Sequence, residues 1–129
     1  MVIRFPGNRK VAAHFDGFTL TTDQPKDAGG DGSAPAPFDL FLASIGTCAG
    51  IFALSFCQKR NLPTEGLEIV QTMEWNEAKH LVSKVRLEIR LPAGFPEKYR
   101  DSLVSAANLC TVKRHLHEPP QFEVVTKTG

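Results

Sequence analysis

The sequence holds three cysteines in 129 residues, an odd number and too few to staple a disulfide-built scaffold. The thiols are therefore expected to stay free in a reducing cytoplasm, kept for chemistry or as small apolar fillers. They form neither a CxxC redox pair nor a zinc-ligand spacing, which argues against metal binding. Charge of one sign is lacking as well: fifteen basic residues against fourteen acidic leave a net charge of +1. No electrostatic footprint for nucleic acid or for an anionic membrane surface follows from that balance. Met1–Lys10 has no basic stretch running into an apolar one, so no secretory signal is expected. The Gly-rich part of Pro25–Pro37 lacks the Gly-Lys-Ser/Thr ending of a phosphate loop and the spacing of a dinucleotide fingerprint. No internal repeat is evident beyond two sheet-plus-helix halves.

What is present suits a globular chain. The length is that of one domain, and the whole of 1–129 is expected to form it. With 42% hydrophobic and 22% charged residues, a core is within reach and disorder is excluded. The first third reads as strands. Val2–Phe5 is apolar and β-prone, and Pro6-Gly7-Asn8 is a turn in which each residue has its backbone reason. Lys10–Phe15 and Phe18–Thr22 follow, joined by Asp16-Gly17, a strong hairpin signal. Pro25–Pro37 is a loop that leads from sheet to helix.

Phe38–Asn61 is the unusual segment. No charge appears from Leu40 to Gln58, and Phe38, Leu40, Phe41, Leu42, Ile45, Ile51, Phe52, Leu54 and Phe56 go all round a helix. Such a helix is buried on every side, in protein or in lipid. Ser44, Gly46, Thr47, Gly50, Ser55 and Gln58, and a remaining chain of amphipathic strands, argue against a membrane span. One small sheet covers only one side of it, so a second subunit is expected on the other. Gly46 and Gly50 form a small-xxx-small pair that admits either a partner's backbone or a bulky neighbour from the same chain.

The second half opens with a hairpin. Leu67, Ile69, Gln71, Met73 and Trp75 alternate with Glu68, Val70, Thr72 and Glu74. Leu81, Ser83, Val85, Leu87, Ile89 and Leu91 alternate with Val82, Lys84, Arg86, Glu88 and Arg90. This predicts two half-buried antiparallel strands connected by Asn76–His80. Pro96 suits a helix start, and Tyr99, Leu103, Ala106 and Cys110 share one helical face. A short basic helix continues through Thr111–His117, Pro119-Pro120 stops it, and Phe122–Thr126 reads as a last strand. The fold class is α+β, in the order β-β-β-α-β-β-α-α-β.

Cys48, Cys57 and Cys110 are the candidates for chemistry. Cys48 and Cys57 lie about 13 Å apart along one helix and half a turn out of phase, too far to bridge. Cys110 approaches Cys48 if the two helices pack face to face. The plain alternative is that all three are buried small hydrophobes; Cys57, beside Phe56, fits it best. His115-x-His117 does not share a helical face, and with Lys113 and Arg114 it fits compensation of a helix dipole. Asp39, in a first helical turn, fits the same dipole argument.

The run APFDLFLASIGTC (Ala36–Cys48), preceded by GGDGSAP, resembles the first-cysteine motif of the OsmC/Ohr family, the osmotically inducible and organic hydroperoxide resistance proteins. LCTVKRHL (Leu109–Leu116) resembles that family's second-cysteine motif, and the element order matches over nearly the whole chain. The resemblance implies an intertwined homodimer with two central helices and a site at the subunit interface. It implies a cysteine-based peroxidase in which Cys48 attacks an organic hydroperoxide and Cys110 resolves the product as a disulfide. An external dithiol would then reduce the pair, with no metal or organic cofactor. The better-studied members hold the first cysteine as thiolate with an Arg, itself held by a Glu ten residues before that cysteine. Here Phe38 takes the Glu position, the nearest carboxylate is Asp39, and Arg9 is the nearest basic residue in register, with Lys10 and Arg4 as alternatives. The other reading is a non-catalytic dimeric binding module holding a small apolar or thiol-bearing molecule between subunits.

Overall fold

The computed structural model describes residues 1–129. The chain divides into two compact units, Met1–Ser44 and Ile45–Gly129.

The first unit begins with a three-stranded antiparallel meander, β1 (Val2–Gly7), β2 (Lys10–Phe15) and β3 (Phe18–Thr22), in the order β1-β2-β3. The β2–β3 turn is tight because Asp16 and Gly17 both take positive φ, 49° and 79°, the geometry a two-residue hairpin requires. Phe15 pairs Phe18 directly across it. The loop that follows is tied from inside by Asp23. Its carboxylate accepts the Gln24 N–H (2.8 Å), the Ser33 N–H (3.0 Å) and the Ser33 hydroxyl (2.6 Å). Gly30 is needed there, since a Cβ would run into the Gln24 carbonyl. Asp31 pairs with Lys10 and accepts from Asn8 at 3.1 Å.

Asp23 has no exposed surface. The Ser33 hydroxyl first, then the Ser33 and Gln24 N–H groups, hold its carboxyl at about 2 against an ordinary 3.8. A depressed carboxyl contributes stability above its unfolded value and loses it as pH falls through its folded value. The wild-type protein should therefore lose stability between pH 3.8 and about 2. Asp23→Asn should be less stable at neutral pH and flatter through that window. Urea titrations across the window check this; identical slopes would contradict it.

The helix α1 (Pro37–Lys59) runs from the first unit into the second. Its first turn is capped by Asp39, whose carboxylate accepts the Ala36 N–H at 3.0 Å. It ends where Asn61 takes φ 53° and the Leu62 N–H closes back on the Cys57 carbonyl at 2.9 Å, a left-handed C-cap. Within the single chain, burial reaches one side of α1, the side the sheet was expected to cover. The buried residues Ile45, Ala49, Ala53, Phe56 and Cys57 form one stripe, while Phe38, Phe41 and Ile51 stay exposed in the chain. By length and composition α1 is long and apolar enough to cross a membrane, and 28% of that apolar stretch is buried within the chain.

In the second unit β4 (Glu68–Asn76) and β5 (Leu81–Arg90) form the expected hairpin. Its register shifts between Glu74, opposite Lys84, and Trp75, opposite Val82. Ser83 is the extra residue of this bulge, and its hydroxyl donates to the Glu74 carbonyl at 3.2 Å. The strict alternation expected on β5 is therefore broken at Ser83. The small pair on α1 serves this same chain. A Cβ at Gly46 would collide with the Gln71 side-chain oxygen, and one at Gly50 would touch Ile69 at 3.9 Å. A single 3-10 turn leads into α2 (Arg100–Ala107), and α3 (Thr111–His117) follows. Ala49, Ala53, Phe56, Cys57, Phe95, Leu103 and Ala107 make the core, with Leu87, Ile89 and Tyr99 packed against it.

Two further expectations are corrected. Cys110 is not on the face of α2, because the helix ends at Ala107. Phe122–Thr126 forms no strand: Phe122 is 87% exposed and pairs with no strand of its own chain. A β-prone sequence without a neighbouring edge has no ladder to complete.

Candidate active site

The site is built where α2 gives way to α3. Asn108 closes α2, its N–H reaching the Val104 carbonyl at 3.1 Å, and the Leu109 N–H reaches Ala106. Cys110 then turns to φ −48°, ψ 127° and becomes the N-cap of α3. Its sulfur accepts the Lys113 N–H at 3.4 Å, in the place where a serine, threonine or aspartate oxygen usually sits. Cys110 is 1% exposed and Cys57 is fully enclosed, whereas Cys48 on α1 is half-buried.

The structure brings Cys48 and Cys110 together and leaves Cys57 apart. The Cys110 thiol is placed to donate to the Cys48 sulfur. Burial pushes the Cys48 thiol up, but the Val112 N–H, the Cys110 thiol, and the N–H and hydroxyl of Thr111 together outweigh it. Cys48 lies below the ordinary range as a result. These donors serve the charged form, which is how a hydrogen bond lowers an acid's pKa. Cys110 moves the other way, raised first by burial and then by its hydrogen bond to Cys48. Cys57 is raised by burial, with Arg60 opposing. One thiol of the pair is thus poised to ionise and the other to keep its proton.

An apolar cavity of about 150 Å³ adjoins Cys110, walled by Ile45, Ala49, Ile69, Leu87 and Ile89, with Asn108 and Lys113 at its rim. Its size suits a short alkyl chain or a small ring. A second cavity of about 530 Å³ shares Ile45, Leu87, Asn108 and Lys113 and adds Ser83, Val85, Leu116 and His117. No group of three or more His, Cys, Asp or Glu is placed to hold a metal ion.

Arg9 and Asp39 belong to the N-terminal unit and have local roles there. Asp39 caps α1. The Arg9 guanidinium stands against Gly29, 3.3 Å from where a Cβ would be. Lys10 pairs with Asp31, and Arg4 sits opposite Ala12 in the β1–β2 ladder. The groups that lower Cys48 are the main-chain N–H groups of Val112 and Thr111 and the neutral side chains of Cys110 and Thr111, and no cationic side chain is among them. Sequence reasoning missed Val112, which acts through a backbone N–H that no residue type announces, and Thr111, whose N–H and hydroxyl both act on Cys48. It also missed the Asn108–Lys113 bridge of 2.7 Å, whose only trace in the sequence is a polar pair flanking a cysteine.

Residues 30–125 match the OsmC-like protein family. Among curated proteins no match reaches significance. The fold is similar to a crystal structure from Psychrobacter arcticus 273-4, described provisionally as an osmotic stress induced and detoxification response protein. The TM-score is 0.74 at 21% identity, over 88% of this chain and 84% of that one. A second structure, from structural genomics, aligns with a TM-score of 0.68 at 20% identity, over 92% of this chain and 88% of the other. At such identities the likeness speaks for the fold, and the family match across residues 30–125 carries the assignment: the protein belongs to the OsmC-like family.

Proposed function

We propose that the protein is a cysteine-based thiol peroxidase that reduces organic hydroperoxides in defence against oxidative stress. The contact between Cys48 and Cys110 carries this reading, together with their opposed pKa directions. In the first step the Cys48 thiolate attacks the terminal oxygen of ROOH. An S–O bond forms, the O–O bond breaks, and the alkoxide takes a proton and leaves as ROH. Cys48 is then a sulfenic acid. In the second step the Cys110 sulfur attacks the Cys48 sulfur. The S–S bond forms, the S–O bond breaks, and water leaves with the Cys110 proton. An external dithiol reduces this disulfide and is itself oxidised; the cycle requires no metal or organic cofactor. The apolar cavity beside Cys110 favours an organic hydroperoxide over hydrogen peroxide. Thiol titration before and after one equivalent of cumene hydroperoxide tests the reading. Loss of two thiols per chain supports it, and no loss from a folded protein contradicts it.

A second reading has an observation of its own. Phe38 replaces the carboxylate of the better-studied peroxidases, and the strongest stabilisers of Cys48 include no arginine. On that reading the cavity holds a small apolar or thiol-bearing molecule and the thiols are inert or redox-sensing. The same titration separates the two.

The working state we propose is a cytoplasmic homodimer, with neither nucleic acid nor membrane as partner. Phe5 and Phe18 in the first unit are 79% and 66% exposed in the single chain, and Ile51 and Trp75 in the second are each 54% exposed, so each unit leaves large apolar side chains in water for a partner to cover. The protein should sediment as a dimer at micromolar concentration. A monomer with native helix content would contradict this.

A further inference from the structure

We propose that the side-chain bridge between Asn108 and Lys113 is a positioning device for the resolving thiol, holding Cys110 against Cys48 so that disulfide closure outruns overoxidation. The inference rests on the peroxidase reading. Asn108 is the last capping residue of α2 and Lys113 lies in the first turn of α3. Between them run the residues that carry Cys110, which is extended rather than helical. Lys113 grips that segment at two points. Its ammonium donates to the Asn108 side-chain oxygen at 2.7 Å, and its backbone N–H donates to the Cys110 sulfur at 3.4 Å. Sulfur is a weak acceptor, so the cap alone is a loose restraint. The bridge adds a second restraint with a charged donor, on the solvent-exposed side of the segment. It closes a ring from Asn108 to Lys113 with Cys110 inside. The ammonium is not among the groups acting most strongly on either thiol. Both side chains also sit on the wall shared by the two cavities.

Position matters because the sulfenic acid at Cys48 has two fates. Attack by Cys110 expels water and gives the disulfide. Attack on a second hydroperoxide transfers another oxygen to the sulfur, releases ROH and leaves sulfinic acid. The first fate is intramolecular, and its rate depends on how well Cys110 is held.

The test uses the full-length protein with cumene hydroperoxide and follows first-step thiol loss and the disulfide-to-sulfinate ratio by mass spectrometry. Lys113→Met removes the donor at nearly constant length, Asn108→Ala removes the acceptor, and Lys113→Arg keeps a donor. Losing the bridge should raise the sulfinic fraction of Cys48 about three- to tenfold, compared with wild type at equal first-step thiol loss. Lys113→Arg should restore most of the disulfide. A merely structural role would alter both steps and the helix signal together. Asn108→Ala leaves the main-chain cap of α2 in place and keeps the test open if Lys113→Met unfolds α3. Wild-type partition in both Lys113→Met and Asn108→Ala would overturn the inference while leaving the peroxidase reading intact. A wild-type protein that consumes no hydroperoxide would overturn that reading and this inference with it.

Discussion

Cys48→Ser should abolish hydroperoxide reduction, a loss on the order of a thousandfold or more, as removal of a nucleophile generally costs. A serine hydroxyl does not ionise near neutral pH, and it lacks a polarisable sulfur to accept the transferred oxygen. The donors that lower the Cys48 thiol, led by the Val112 N–H, would have no anion to serve. Cys110→Ser should behave differently. Its Cys48 should react once at close to the wild-type rate, halt as sulfenic acid, and pass to sulfinic acid with further oxidant. Cys57→Ala should turn over normally, because Cys57 is enclosed in the core and raised by burial. Hydroperoxide consumption followed by stopped flow in the three variants checks the order. Residual multiple turnover in Cys48→Ser would remove that residue from the chemistry.

The largest stability effect is expected at Leu103→Ala. Leu103 lies on α2, is among the largest fully buried side chains, and belongs to the cluster with Ala53, Phe56 and Phe95. Truncating it deletes buried methyl groups and leaves a cavity, which costs about 2–5 kcal/mol. Ser105→Ala, two residues on and exposed, should stay within about 0.5 kcal/mol. Urea unfolding at fixed protein concentration gives both values. A loss below about 1 kcal/mol at Leu103, with unchanged m, would mean that α2 is not the wall of this core. The consequence reaches the site, since α2 carries the turn that presents Cys110.

The strands were legible in part from the turn chemistry next to them: at Pro6-Gly7-Asn8 the strand β1 runs on through Gly7 and the turn falls at Asn8-Arg9. Asp16-Gly17 marked β2 and β3 to the residue, because only left-handed backbone closes that hairpin. The hairpin β4–β5 was legible from its period, but the bulge at Ser83 was not, because one inserted residue leaves composition unchanged. Cys110 shows where periodicity misleads. The steps Tyr99–Leu103–Ala106–Cys110 keep a helical spacing, yet the chain leaves α2 at Asn108 and restarts at Thr111. The pattern survives because two short helices cover one core. On α1 the apolar residues go all round, but the chain itself buries only the stripe from Ile45 to Cys57. Gly46 and Gly50 announced a close approach without saying to what; Gln71 and Ile69 of the same chain fill that place. At the site, the two cysteines of the motifs were legible. The groups that tune them were not, because the backbone N–H donors of Val112 and Thr111 belong to every residue and the Thr111 hydroxyl to a common one, and only the fold aims them.

The most direct test of the account is the mass of the wild-type protein after one equivalent of an organic hydroperoxide, followed by peptide mapping. The predicted result is a chain lighter by two hydrogen atoms, with Cys48 joined to Cys110 and Cys57 still free. A folded protein that keeps all three thiols, or one whose new bond involves Cys57, would contradict it.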